Sequence, residues 1–394
     1  MNILYISVLA SQVTLNEVLQ INPNSAYSPA AQKFNRLIAE GIAGNGEKIT
    51  ALSSFFAKTK GFIWHHDSEI RKGVRYDYIP TPIWGPLRYI ALLFYSFVYV
   101  LFWGLKGRKN NVVVCDVLNV SACIGAVCAA RIIGLRRVGI VTDLPGQMIG
   151  GIEEAGNRRS YFKIKMNKSF LNHFTHYVVL TEKMNEVVNI NHRPFIVMEG
   201  LVDLDMQASR ESEKIERKVI LYAGGLHERY GLKLLVEGFI RADVSDFELW
   251  IYGNGPFSEV LQDYCKHDSR IVYKGARPNN EVVDAELMSS LLVNPRPTHE
   301  EFTKFSFPSK NMEYMVSGTP VLTTMLPGMP QEYYPFVYLF DQGETVEGYA
   351  KVLRHVLSLP KPVLQNKGMQ AREWVLKNKN HISQTARICD LLCK

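Results

Sequence analysis

The residues best suited to chemistry lie between Phe305 and Val321, in the run FSFPSKNMEYMVSGTPV. Pro308 fixes φ where a first-turn N–H is not needed, so a helix is predicted to start near Ser309, with Ser306 upstream as its cap. A helix N-terminus presents free N–H groups and partial positive charge. With Lys304 and Lys310 flanking this one, its natural ligand is an anion. Glu313, a turn further in, is placed to accept hydrogen bonds from a pair of sugar hydroxyls. Met312, Tyr314 and Met315 recur on one side for burial, and Gly318 with Pro320 ends the helix before a strand predicted over 321–324.

Two glycine-rich turns follow strand-like runs in the same half of the chain. Val219 to Ala223 leads into Gly224-Gly225-Leu226-His227-Glu228-Arg229-Tyr230-Gly231 and a helix from Leu232 to Phe239. Glycines at such a turn let backbone N–H groups approach a phosphate, and Arg229 adds a charge; the same residues also suit an ordinary turn. Glu248 to Tyr252 runs into Gly253-Asn254-Gly255-Pro256, and Ile271 to Tyr273 into Lys274-Gly275. In the first half, Asp143 follows the strand ending at Val141, at the C-terminal edge where open α/β sheets place ligands. It either holds a substrate hydroxyl or closes the turn before Leu144-Pro145-Gly146. Neither G-x-G-x-x-G nor a Walker lysine motif occurs, which argues against hydride transfer and ATP hydrolysis.

The signature stretch resembles the donor site of the retaining glycosyltransferases of the GT-B fold, family 4, in which a Glu, seven residues and a second Glu precede "AMA-G-PV". Glu313 matches the second Glu, which in that family holds the nucleotide ribose; Phe305 stands where the first would be. "SFPSK-MEYM-SGTPV" is similar to a branch of bacterial surface-polysaccharide transferases, and the likeness spans most of the chain. It implies a nucleotide diphosphate sugar as donor, no separate cofactor and no metal. It also implies donor binding by Gly224, Gly225, Asn254, Lys274, Lys304, Ser306, Phe307, Ser309 and Glu313. Arg229 and Lys310 are then expected on the leaving diphosphate, and Asp143 on the acceptor hydroxyl. The family's first loop carries a basic pair, of which this chain keeps Arg229, with Gly225 in the place of one Arg.

The elements that must position these groups alternate strand and helix, the pattern of a doubly wound parallel sheet. Strands are predicted over 2–8, 48–53, 111–117 and 137–141; one helix is opened by Ser28-Pro29 and ends at Gly44-Asn45-Gly46, and another runs from Ala122 to Ile133. Residues 199–217 are polar, charged and aperiodic, and mark a boundary. The expected organisation is an α/β chain of two Rossmann-like domains facing across a cleft. Residues 1–200 form the acceptor domain, 201–375 the nucleotide-sugar domain, and 376–394 a C-terminal helix returning to the first, within one helix read over 369–394. A length of 394 residues, 47% hydrophobic, suits two cores.

Charge is unevenly placed. The formal net charge is +7, yet residues 1–180 hold 20 Lys/Arg against 10 Asp/Glu. With no RNP-like string or aromatic-interleaved basic motif, an anionic membrane or phosphorylated lipid is the expected partner, not nucleic acid. Tyr89 to Leu105 is apolar on every face except Ser96 and runs into Lys106, Arg108 and Lys109. It reads as a helix buried on the sheet, as one set into a membrane face, or as a short span. Arg158 to Phe174 mixes Tyr161, Ile164, Phe170 and Leu171 with five cations, which suits either an interfacial helix or a solvated helix with a buried apolar stripe. Six cysteines without paired spacing fit a reducing cytoplasm, and MNILYISVLA reads as a buried strand, not a leader. The expectation is therefore a cytoplasmic enzyme on the inner face of the membrane, adding a sugar to a lipid-linked glycan. A sugar-nucleotide epimerase or hydrolase on the same plan is the alternative, as is a non-catalytic partner subunit, encouraged by Phe305.

Overall fold

The computed structural model describes residues 1–21, 29–55, 62–107, 110–144, 169–207 and 218–393. The chain divides into two compact units, Met1–Leu201 with His381–Lys394, and Val202–Asn380.

The strands of the first unit are β1 (Asn2–Ser7), β2 (Lys48–Ser53), β3 (Ile63–Trp64), β4 (Glu69–Arg71), β5 (Val74–Tyr78), β6 (Thr81–Pro82), β7 (Asn111–Asp116), β8 (Arg136–Val141), β9 (His176–Val179) and β10 (Phe195–Val197). Eight of them form one sheet in the order β10-β9-β8-β7-β1-β2-β5-β4, parallel except for the edge strand β4 on β5; β3 and β6 pair separately. Residues of β1 and β7 are almost wholly buried on both faces, which is why they read as continuous apolar runs. The helices are α1 (Gln12–Ile21), α2 (Pro29–Gly44), α3 (Gly85–Leu105), α4 (Val120–Ile132) and α5 (Glu182–Val188).

Helix α3 begins earlier than its apolar run suggests, with Pro86 in its first turn, and it lies on α4. Its buried stripe is Leu92, Ser96, Val100 and Gly104, so Ser96 faces inward and not toward solvent. The Ser96 hydroxyl donates to the carbonyls of Leu92 at 2.7 Å and Ala122 at 2.8 Å. Trp84, Tyr89, Ile90, Phe94 and Phe102 are each more than 60% exposed, which overturns the reading of a buried core helix. The helix is long and apolar enough, by length and composition, to cross a membrane.

In the described part of the stretch from Arg158 to Phe174, the apolar residues face inward, as the reading with a buried apolar stripe has it. Phe170 and Leu171 are buried; Phe170 packs edge-on against Phe174, and the Tyr177 hydroxyl donates to the Leu171 carbonyl. Residues 158–168 of that stretch, 145–151 after Asp143 and 208–217 of the predicted boundary lie outside the described residues.

The second unit contains β11 (Val219–Ala223), α6 (Leu232–Ala242), β12 (Glu248–Tyr252), α7 (Ser258–His267), β13 (Ile271–Gly275), α8 (Asn279–Met288), β14 (Leu291–Asn294), α9 (Ser309–Ser317), β15 (Val321–Thr323), β16 (Tyr338–Leu339), α10 (Val346–Leu357) and α11 (Lys361–Asn378). Its parallel sheet runs β13-β12-β11-β14-β15-β16, so the order in which strands are added reverses between β11 and β14. That switch point is where an open sheet leaves a crevice at its carboxyl ends.

The predicted single C-terminal helix is two. Helix α11 stops at Asn378, and α12 (His381–Cys393) follows after Lys379 and Asn380. Asn380 Nδ2 caps the end of α11 by donating to the Leu376 carbonyl at 2.8 Å, while the Lys379 carbonyl accepts from the Val202 N–H at 2.9 Å. Helix α12 belongs to the first unit, where Ile388 and Leu392 enter the core and Asn45 Nδ2 donates to Thr385 Oγ1 at 3.0 Å.

Candidate functional site

At the β11/β14 switch point the second unit has a cavity of ≈ 260 Å³. Three stretches line it: Tyr222 to Gly225 with His227 and Tyr230, then Asn294 at the end of β14 with Arg296 beyond it, and Pro308, Ser309, Lys310 and Tyr314 from the start of α9.

Each stretch is held by contacts that the local sequence requires. Tyr314, on the buried side of α9, accepts from the Ala223 N–H at 2.8 Å and lies 3.2 Å from the Ala223 carbonyl, tying the helix to the end of β11. Asn311, fully buried, accepts from Asn294 Nδ2 at 2.7 Å and donates to Thr323 Oγ1 at 3.2 Å, which fixes α9 against β14 and β15. Gly231 sits at φ +82°, and a Cβ there would lie 2.0 Å from the Pro295 carbonyl oxygen. Only glycine lets the loop Pro295-Arg296-Pro297 close on the turn before α6. A Cβ at Gly253 would meet the Gly224 carbonyl oxygen at 1.8 Å, so the second glycine turn packs directly beneath the first.

Helix α9 starts at Ser309 with Pro308 before it and no side-chain cap. The expected cap, Ser306, instead donates to the Phe302 carbonyl at 3.1 Å, because residues 301–304 form a 3₁₀ turn that brings that oxygen within reach. The uncapped N-terminus with its partial positive charge is thus left at the cavity wall, beside Lys310. Lys310 Nζ lies 2.7 Å from Glu313 and 3.8 Å from the buried Glu286. Burial lowers the Lys310 pKa, but the two carboxylates outweigh it and the ammonium sits above its ordinary range.

Among the other residues singled out from the sequence, Gly224, Gly225 and Ser309 line the cavity, and Glu313 is half-buried one turn behind Lys310. Arg229 does not line it: its guanidinium pairs with Glu300 at 3.0 Å and lies 4.4 Å over the Phe302 ring. Phe307 packs in the core against Tyr333. Lys274 Nζ sits 3.9 Å over the Trp250 ring, Asn254 Oδ1 accepts from the Gly255 N–H at 2.9 Å, and Lys304 ends the 3₁₀ turn. In the first unit, Asp143 stands two residues beyond β8, with its pKa pushed up by burial and by Asp116. Tyr222, Tyr230, Asn294, Arg296 and Tyr314 enter the site without having been singled out as binding residues.

Residues 217–358 match the family described as "Glycosyl transferases group 1". No match to the chain was found among curated proteins. Solved structures share the fold over the full length. The sucrose-phosphate synthase of Thermosynechococcus elongatus is 14% identical with a TM-score of 0.65, covering 100% of this chain and 98% of that one. Anabaena Alr3699/HepE in complex with UDP and glucose is 12% identical with a TM-score of 0.59, covering 100% of each chain. WaaG, a glycosyltransferase involved in lipopolysaccharide biosynthesis, is 14% identical with a TM-score of 0.58, covering 99% of each. The chain has the GT-B fold, an α/β architecture of two parallel-sheet, Rossmann-like domains.

Proposed function

We propose that the chain is a retaining glycosyltransferase of family 4. It takes a sugar from a nucleotide diphosphate sugar and adds it to a membrane-held, lipid-linked glycan in cell-surface polysaccharide synthesis, at the cytoplasmic face of the membrane. The observation that carries this reading is the uncapped start of α9 beside Lys310 and the Gly224-Gly225 turn, inside the segment that matches the group 1 glycosyl transferases. The complexes of HepE with UDP and glucose, and the part of WaaG in lipopolysaccharide synthesis, support the donor and acceptor classes.

In this reading the difficult charge is the one that grows on the leaving diphosphate. The α9 N–H groups and Lys310 stabilise it as the anomeric C–O bond breaks and its electron pair passes to the phosphate oxygen. That oxygen takes the proton of the acceptor hydroxyl, whose oxygen bonds the anomeric carbon on the face just vacated. Retention then needs no pair of catalytic carboxylates. Glu313 accepts from the ribose hydroxyls, and Asp143 holds the acceptor hydroxyl. The exposed face of α3 meets the membrane that carries the acceptor.

Purified protein, a panel of nucleotide sugars and lipid extracts as acceptor test the reading, with release of nucleoside diphosphate as the signal and product anomers assigned by NMR. Release that depends on lipid, with retained configuration, is expected. Donor consumption indifferent to lipid would make the chain an epimerase or hydrolase, and no turnover at all would make it a partner subunit.

A further inference from the structure

The charges around the α9 cavity are not equally opposed. Lys310 faces Glu313 and Glu286, and Arg229 faces Glu300. Arg296 also lines the cavity, but among the described residues no carboxylate pairs with it, and its Nε is buried without a hydrogen-bond partner. What surrounds the guanidinium is aromatic: its carbon lies 5.1 Å from the Tyr230 ring centroid and 5.4 Å from that of Phe302. Burial and the nearby Arg229 pull its pKa down, the mark of a cation held where its charge is poorly solvated. A guanidinium remains charged in a protein, so such a site stays unfavourable until an anion arrives.

The backbone beneath it is fixed. Thr324 Oγ1 donates to the Arg296 carbonyl, Tyr349 donates to the Pro295 carbonyl at 3.0 Å, and Gly231 closes on that same carbonyl. The rings lie against the guanidinium without neutralising it, and a guanidinium is a planar fork of donors of the kind that binds phosphate oxygens in pairs.

We infer that Arg296 contacts the donor's diphosphate, filling the place of the second basic residue that Gly225 leaves vacant, while Arg229 acts as a positioning residue that holds the Phe302 ring against Glu300's side of the loop. This inference rests on the reading that the cavity takes a nucleotide diphosphate sugar. It identifies which of two neighbouring arginines does the binding.

The test is calorimetry on the full chain with UDP, GDP, ADP and inorganic pyrophosphate, using Arg296→Met, Arg296→Lys and Arg229→Met. Arg296→Met is expected to weaken the nucleoside diphosphate that wild type binds by about tenfold or more, and Arg296→Lys to restore part of that loss. Arg229→Met should cost no more than about threefold, since its charge is already paired. Should Arg296→Met not fold, a loss in folded Arg296→Lys relative to wild type decides the same point, because a lysine lacks the planar fork. Wild-type affinity in both Arg296 variants, or a larger loss from Arg229→Met, overturns the assignment. Binding of pyrophosphate that depends on Arg296, with no nucleotide bound, would keep the anion site and remove the donor reading; no binding of any of the four to wild type removes both.

Discussion

At the level of single residues, Glu313 and Lys310 have to be considered together, because the carboxylate that would hold ribose also holds the ammonium that would face phosphate, at 2.7 Å. Glu313→Gln keeps the shape and removes the charge. It is expected to weaken nucleotide-sugar binding by about 1.5–3 kcal/mol, the worth of hydrogen bonds to an ionised group, with folding intact; unchanged affinity in calorimetry would take Glu313 out of the site. Lys310 carries a second consequence, since it also faces the buried Glu286. Burial lowers its pKa and Glu313 and Glu286 raise it by more, so the folded value exceeds the unfolded one. A raised lysine contributes stability that is complete below its unfolded pKa and is lost as pH climbs through the folded one. Wild type should therefore be more stable than Lys310→Met at neutral pH, with the gap narrowing above pH 10.5, the ordinary lysine value. Thermal melts of both proteins from neutral to alkaline pH check this, and a gap that is constant or widens on the alkaline side contradicts the pairing.

At the level of elements, small residues decide how α3 sits. A Cβ at Gly125 of α4 would lie 2.0 Å from the Leu93 carbonyl oxygen and 2.5 Å from Ser96 Oγ, and one at Gly104 would lie 2.3 Å from Ile133 Cδ1. Gly125→Ala must push α3 off α4 and strain the Ser96 to Ala122 hydrogen bond, at a cost of about 1–3 kcal/mol or more. Urea denaturation measures it, and a wild-type midpoint would show that the two helices separate freely. This contact explains what could be read from the residues and what could not. The parallel strands were legible because both faces are buried, so Val219–Ala223 shows as an uninterrupted apolar run with glycines after it. The start of α9 was legible from Pro308 and its stop from Gly318. The buried side of α3 was not: its outer face is as apolar as its inner one, and the distinction lies in Ser96, Gly104 and Gly125, which come together only in the folded unit. Arg296 escaped for a similar reason, since its lack of a carboxylate partner among the described residues is a property of three loops and not of its neighbours in the chain. The cap assigned to Ser306 and the unbroken final helix failed where a local rule met a competing partner, the Phe302 carbonyl in one case, and in the other the Val202 N–H that donates to the Lys379 carbonyl and the Leu376 carbonyl that accepts from Asn380 Nδ2.

For the whole molecule, the division of charge follows the division of the fold. The first unit holds 24 Lys/Arg against 14 Asp/Glu and the second 21 against 24, so the entire excess of positive charge lies on the unit that also exposes α3. The exposed side of that helix carries Phe94, 66% exposed, and Phe102, 64% exposed, and it ends at Lys106, which with Tyr95, Val98, Tyr99 and Trp103 lines a shallow groove. Aromatic side chains with cations at the end of the helix suit the boundary between headgroups and acyl chains, where each Lys or Arg near an anionic surface contributes about 1 kcal/mol. Two forces are then expected to act together, and they can be separated. The protein should sediment with vesicles containing phosphatidylglycerol and be largely released by salt, as screening shortens the reach of its charge. Phe94→Ser with Phe102→Ser removes apolar area that is already in water, so folding should be unchanged, while the fraction still bound at high salt should fall. Equal binding to neutral and anionic vesicles would refute the electrostatic part, and salt-resistant binding that survives the double substitution would refute the part assigned to α3. If the protein binds neither kind of vesicle, the membrane role proposed for this face is removed.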